Sequence, residues 1–275
     1  MKQTGCFLIL LLLLAAPAVS LNGQQAETEE TLSDLFSRIL NTRDDDERVR
    51  LNDSIDLIIR EYVSSDLVFT HRFGYIRYLG QILSPDSRVK IVTWNLILTG
   101  GTCRYYCYII RKGEQGADNK TVRLTAVNSD EAPETGKTYS ADDWYGALYY
   151  SIQPFRVGRD TYYAILGLDY GSLLVSRKII DVLRFTEEGK VIFGMDCFER
   201  EGSLKYREVL EYHADGVMTL RFSDRKTILF DHLAPISSGR KFDQGYYGTE
   251  FSFDAYILKK GLWVFEKNFD AVNKH

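Results

Sequence analysis

Cysteine, histidine and excess positive charge are all scarce in this chain, and each shortage closes off a class of function. Four cysteines and four histidines occur in 275 residues. Cys6 falls in an apolar N-terminal stretch, which leaves Cys103, Cys107 and Cys197 for the folded protein, an odd number that argues against a disulfide-framed scaffold. If Cys103 to Cys107 lies on one strand, the two α-carbons stand about 13 Å apart at ~3.3 Å per residue, beyond the roughly 7 Å a disulfide spans. Cys197 can then pair with one of them, or all three are buried thiols acting as small hydrophobes; spacing leaves the choice open. No histidine lies near either cysteine cluster, so no metal is expected, because a structural zinc site draws on about four Cys or His ligands. The formal net charge of -4 supplies no field for nucleic acid or anionic lipid.

Other absences narrow the field further. The chain has no Gly-x-Ser-x-Gly elbow, no phosphate-binding glycine loop and no His-Glu-x-x-His pair, so no motif implies a cofactor and none is expected. It has no clear internal repeat, and its one long apolar run, Phe7 to Leu14, falls short of the roughly 20 residues a spanning helix needs. Lys2 precedes that run, and Ala15, Ala16, Ala18 and Ser20 follow it. This is the pattern of a secretory signal peptide over 1–23, cleaved after Ser20 or after Gly23. Cys6 precedes the apolar run, whereas a lipid-attachment cysteine follows it, so the expected product is periplasmic or secreted, without an anchor.

What remains reads as an N-terminal helical segment over 24–83 and an antiparallel β domain over 84–275. After a polar lead-in to Thr31, Leu32, Leu35, Phe36, Ile39 and Leu40 recur at helical spacing, as do Leu51, Ile55, Ile58, Ile59 and Tyr62. The acidic run Asp44-Asp45-Asp46-Glu47 reads as a solvated turn between them, because an EF-hand alternates its ligands and carries a mid-loop glycine. Residues 67–83 fit a helix that Gly74 and Gly80 weaken, and Ser84-Pro85-Asp86-Ser87 marks a turn and the boundary. From Val89 onward, β-branched and aromatic runs alternate with turn signals such as Gly100-Gly101, Glu188-Gly189 and Lys260-Gly261. Alternation in Met218 to Phe222, and in Phe251, Phe253, Ala255 and Ile257, predicts strands wet on one face, while Tyr105 to Ile110 reads as a central strand covered on both. The expected fold is mainly β with an N-terminal helical hairpin, an antiparallel meander closing as a barrel or sandwich, with a propeller-like closure as the alternative.

Candidate chemistry is thin. His232 follows a strand and adjoins Asp231, the arrangement of a base oriented by an acid, yet neighbours on a strand point to opposite faces. The 18 Tyr, 15 Phe and 3 Trp are more suggestive. Trp144, Tyr145, Tyr246 and Tyr247 are the ligand-binding candidates, since exposed rings beside polar groups bind sugars or protein partners. Ser237 to Gly248 is the expected long loop.

Ser84-Pro85-Asp86 with Trp94 and Gly100-Gly101-Thr102, then Arg177-Lys178-Ile179-Ile180-Asp181-Val182-Leu183 with Phe193-Gly194, and Phe230-Asp231-His232-Leu233-Ala234-Pro235 resemble a group of uncharacterised secreted proteins of Bacteroidetes-type bacteria. The resemblance covers residues 84–235, implies a bacterial envelope location and brings no activity with it. The expectation is a binding or interaction protein without catalysis, its partner a protein or a glycan. The alternatives are an envelope or polysaccharide hydrolase using Asp231 and His232, and a carbohydrate-binding module.

Overall fold

The computed structural model describes residues 21–74, 76–114, 116–235 and 247–270; the expected leader lies outside them except for 21–23, which open the first helix. Helices α1 (Leu21–Asn41) and α2 (Asp45–Ser64) follow the two apolar stripes. Leu32, Leu35, Phe36 and Ile39 fall at i, i+3, i+4 and i+7 and are buried, whereas Leu40 has rotated off that face and is 54% exposed. The polar lead-in is helical as well, being rich in good helix formers such as Gln, Ala and Glu. The acidic run is a helix start: Asp44 Oδ1 accepts from the Asp46 and Glu47 backbone N–H groups at 2.9 and 3.3 Å, and Asp45, Asp46 and Glu47 fill the first turn of α2. Carboxylates there satisfy orphan donors and the positive end of the helix dipole.

The helical reading of 67–83 fails beyond a 3₁₀ turn at Asp66–Phe69. The chain then enters β1 (Gly80–Leu83), which pairs with β2 (Val89–Ile97), so residue 84 sits in a hairpin turn. The rest of the chain forms β3 (Cys103–Arg111), β4 (Lys120–Val127), β5 (Tyr139–Ser140), β6 (Leu148–Val157), β7 (Asp160–Asp169), β8 (Val175–Phe185), β9 (Val191–Phe193) and β10 (Phe198–Arg200). It continues with β11 (Ser203–Lys205), β12 (Glu208–His213), β13 (Leu220–Asp224), β14 (Thr227–Pro235), β15 (Tyr247–Lys259) and β16 (Leu262–Glu266).

These strands make three sheets: β1-β2-β3-β4; β5-β9-β8-β7-β6, with β12 beside the first half of β8; and β11-β10-β16-β15-β14-β13. Pairing is antiparallel except between β10 and β16, which run parallel. No sheet pairs its first strand with its last, so no closed barrel forms among the described residues. None of the helices described is long and apolar enough to cross a membrane.

Side-chain parity sorts the layers, because successive residues on a strand face opposite ways. Val92, Trp94, Leu96, Tyr108 and Ile110 pack with the helices. Their neighbours Val89, Ile91, Tyr105, Cys107 and Ile109 pack with Tyr149, Tyr163, Ile165, Ile179 and Leu183 of the second sheet. Ala164, Leu166, Ile180 and Val182 face the opposite way, toward Phe198, Ile228, Phe230, Tyr256 and Trp263 of the third. The order is helices, sheet, sheet, sheet, and β3 is covered on both faces as its apolar run predicts. On β15, Tyr256 enters the core, while on the other face Ala255 is fully buried and Phe253 and Ile257 are half-buried, so the strand is less wet than its alternation predicts.

The layering settles the cysteines. Cys103 and Cys107 lie between the first and second sheets and Cys197 between the second and third, and all three are free and buried.

Candidate functional site

Two buried ion networks brace the space between the first and second sheets. Arg207 lies where the chain crosses from β11 in one sheet to β12 in another. Arg207 turns inward with no exposure: Nε donates to Asp181 Oδ2 at 2.8 Å, and the other nitrogens reach the carbonyls of Glu134, Lys137 and Phe193. Tyr145 donates its hydroxyl to the same Asp181 oxygen at 2.9 Å, and Asp181 Oδ1 takes the Val182 N–H at 2.6 Å. Gly194, at φ +97, makes room for the guanidinium, since a Cβ there would stand 2.7 Å from an Arg207 nitrogen. In the second network Arg177, also buried, pairs with Asp169 at 3.0 Å and Glu211 at 2.8 Å and caps the Ser129 and Asp130 carbonyls; Tyr105 donates to Asp169 at 2.9 Å. Buried charges survive only when paired and fully hydrogen-bonded, and these are.

The aromatic candidates fall inside this structure. Trp144 is buried and donates Nε1 to the Tyr149 hydroxyl at 2.9 Å, and Tyr145 is half-buried with its hydroxyl on Asp181. Both pack around Phe193, so they build the core and present no exposed ring platform. Tyr246 lies outside the described residues, as does most of the expected 237–248 loop; Tyr247 opens β15.

His232 does meet an acid, though a different one from Asp231. A register irregularity between Asp231 and Leu233 places His232 Nδ1 2.8 Å from Asp254 Oδ2 on β15. Asp254 is buried and its other oxygen accepts the Asn268 N–H at 3.0 Å. Asp231 accepts the Thr219 N–H at 2.7 Å and extends the β13–β14 hairpin. Among the described residues no group of three or more His, Cys, Asp or Glu is placed to hold a metal.

A third constellation sits behind the helices. Lys90 on β2 is buried and donates to the Tyr62 hydroxyl and to the carbonyls of Val68 (2.6 Å) and His71 (2.8 Å). These partners are all neutral, and burial, with Arg72 adding like charge, pushes its ammonium down to about 8. The contacts tie strand, helix and 3₁₀ turn together beside a cleft of about 450 Å³ lined by Tyr62, His71 and Phe73.

A cleft of about 820 Å³ opens where the ends of the first and second sheets meet. Arg88, Arg111 and Lys112 come from the first sheet and its turns, and Arg156, Arg159 and Arg184 from β6, the β6–β7 turn and β8. Arg88 pairs with Glu114 at 2.6 Å, and Arg111 lies over the Phe185 ring at 5.2 Å. Arg156, Arg159 and Arg184 make no ion pair among the described residues, although acids line the same cleft. Tyr163 donates to Asp86 at 3.1 Å, and burial and that carboxylate push its hydroxyl up, so it stays a donor. Chemically the cleft sets five planar guanidinium forks and Lys112 among the carboxylates of Asp86, Glu114, Asp160 and Glu187, an arrangement that can hold an anion.

No family model matches this chain, and no curated protein or solved structure matches it. The aromatic signal in the sequence marks the core, whereas the cleft's arginines are scattered from residue 88 to residue 184 and carry no local motif.

Proposed function

We propose that this chain is a periplasmic or secreted binding protein, without catalysis, that takes an anionic ligand in the arginine-lined cleft. One observation carries the reading: on a chain of net charge -4, Arg156, Arg159 and Arg184 stand around an 820 Å³ cleft with no acidic partner among the described residues. Free guanidinium groups gathered from separate strands raise the local anion concentration and offer bidentate hydrogen bonds. The leader pattern and the resemblance to secreted Bacteroidetes-type proteins support the location. For the architecture we infer a sandwich-type stack, supported by the second sheet sharing one core with each neighbour. The test is chromatographic: at pH 8 and low salt the acidic protein is expected to be retained on a sulfonate cation exchanger, and Arg156→Ala/Arg159→Ala/Arg184→Ala to flow through. Flow-through of the wild type would overturn the reading.

The His232–Asp254 pair favours a second reading, a hydrolase of envelope or dietary polymers, because a buried carboxylate on Nδ1 orients an imidazole as general base. Ester or glycoside hydrolysis abolished by His232→Ala would establish it; turnover unaffected by that change would remove it.

A further inference from the structure

Building on the anion-binding reading, we infer that the ligand of the arginine cleft is an acidic oligosaccharide, a chain of hydroxyl-rich rings bearing carboxylates. Five of the six cations lining the cleft are arginines, whose flat forks match planar carboxylates two bonds at a time. They stand on both walls, Arg111 on one beside Arg88, which is already paired with Glu114, and Arg156, Arg159 and Arg184 on the other, so the ligand they fit has several separated anionic groups.

The same lining contains acceptors. Asp160 and Glu187 make no ion pair among the described residues and sit among the arginines. They repel phosphate and carboxylate groups alike, but sugar hydroxyls are donors that need acceptors of this kind, and an ionised phosphate chain has no such donors. Every lining residue lies on a strand or in a strand-flanking turn, so the cleft has no helix N-terminus, the anchor typical of phosphate sites. Tyr162, half-buried beside Phe155 at 5.8 Å, adds a ring against which the apolar face of a sugar can lie. The volume of about 820 Å³ falls within the roughly 300–1,000 Å³ usual for ligand sites, so it holds a short run of rings.

The experiment is calorimetric titration of the full chain with hexagalacturonate, maltohexaose, hexaglutamate and tripolyphosphate at low ionic strength. The expected result is hexagalacturonate binding at least about 10-fold tighter than each of the others. Arg156→Ala/Arg159→Ala/Arg184→Ala is expected to weaken it about 100-fold, and Arg184→Lys, which keeps the charge and loses the fork, about 3- to 10-fold. Arg225→Ala, an exposed arginine in the β13–β14 turn, should leave it unchanged. Equal binding of maltohexaose overturns the role of charge. Tighter binding of hexaglutamate or tripolyphosphate overturns the glycan class while leaving anion binding intact. Failure of all three anionic probes overturns both.

Discussion

Arg207, in the crossover before β12, and Arg184, on the neighbouring β8, carry the same side chain, yet they do opposite work. Arg207 is fully buried, each side-chain nitrogen is committed to Asp181 or a carbonyl, and nothing remains for a ligand. Arg184, at the strand end, is half-exposed with no ion pair among the described residues. Saturation, more than residue type, separates a structural charge from an available one. Lys90 stands between these cases, buried like Arg207 but held by neutral oxygens alone.

The comparison breaks most decisively at the buried end. Arg207→Met strands the Asp181 carboxylate in a dry site, and urea unfolding is expected to show a loss of about 3–5 kcal/mol. A loss below about 1 kcal/mol would mean that water reaches the pair. For Lys90 the sign follows from its depressed value. Between pH 8 and 10.5 the unfolded lysine holds a proton the folded one has released, so its contribution to stability rises with pH across that window. The stability of wild type minus that of Lys90→Met should therefore climb by about 3 kcal/mol from pH 8 to pH 10.5. Taking the difference cancels the buried tyrosines and thiols, whose raised values pull the other way; a flat difference would place water at the ammonium.

Gly194→Ala should cost about 1–2 kcal/mol for its left-handed backbone, and more for the clash with Arg207. Combined with Arg207→Met it should be non-additive, as expected of residues in contact. At the other extreme, Arg156→Ala/Arg184→Ala should change unfolding stability by no more than about 0.5 kcal/mol while abolishing retention on the sulfonate matrix. A large loss of stability in that variant would show that the rim arginines are structural after all.

Much of the secondary structure is legible in the chain because its signals are local. The 3.6-residue stripes give α1 and α2, and the apolar run Tyr105 to Ile110 lies within β3. Local rules fail where a distant partner decides. Residues 67–83 carry a helical pattern, yet Gly80–Leu83 pairs with β2 across a tight turn. The Leu204–Tyr212 run looks continuous, but its halves join different sheets. Of the candidate sites, His232 stands out in the sequence beside Asp231, while the acid it meets, Asp254, lies 22 residues on and is set by the β14–β15 register.

By itself, then, the sequence determines periodicity, capping and turn chemistry, because each depends on residues within a few positions of one another. It also supplies the leader pattern on which the proposed location rests. The tertiary structure alone decides which face of each strand meets which sheet, and with that the fate of every charge. Trp144 and Tyr145 become core because two sheets close over them, and Arg207 becomes a brace because a crossover turns it inward. Arg156, Arg159 and Arg184 converge because strand ends far apart in the chain are stacked side by side. Pairing and stacking are long-range, and no local pattern encodes them.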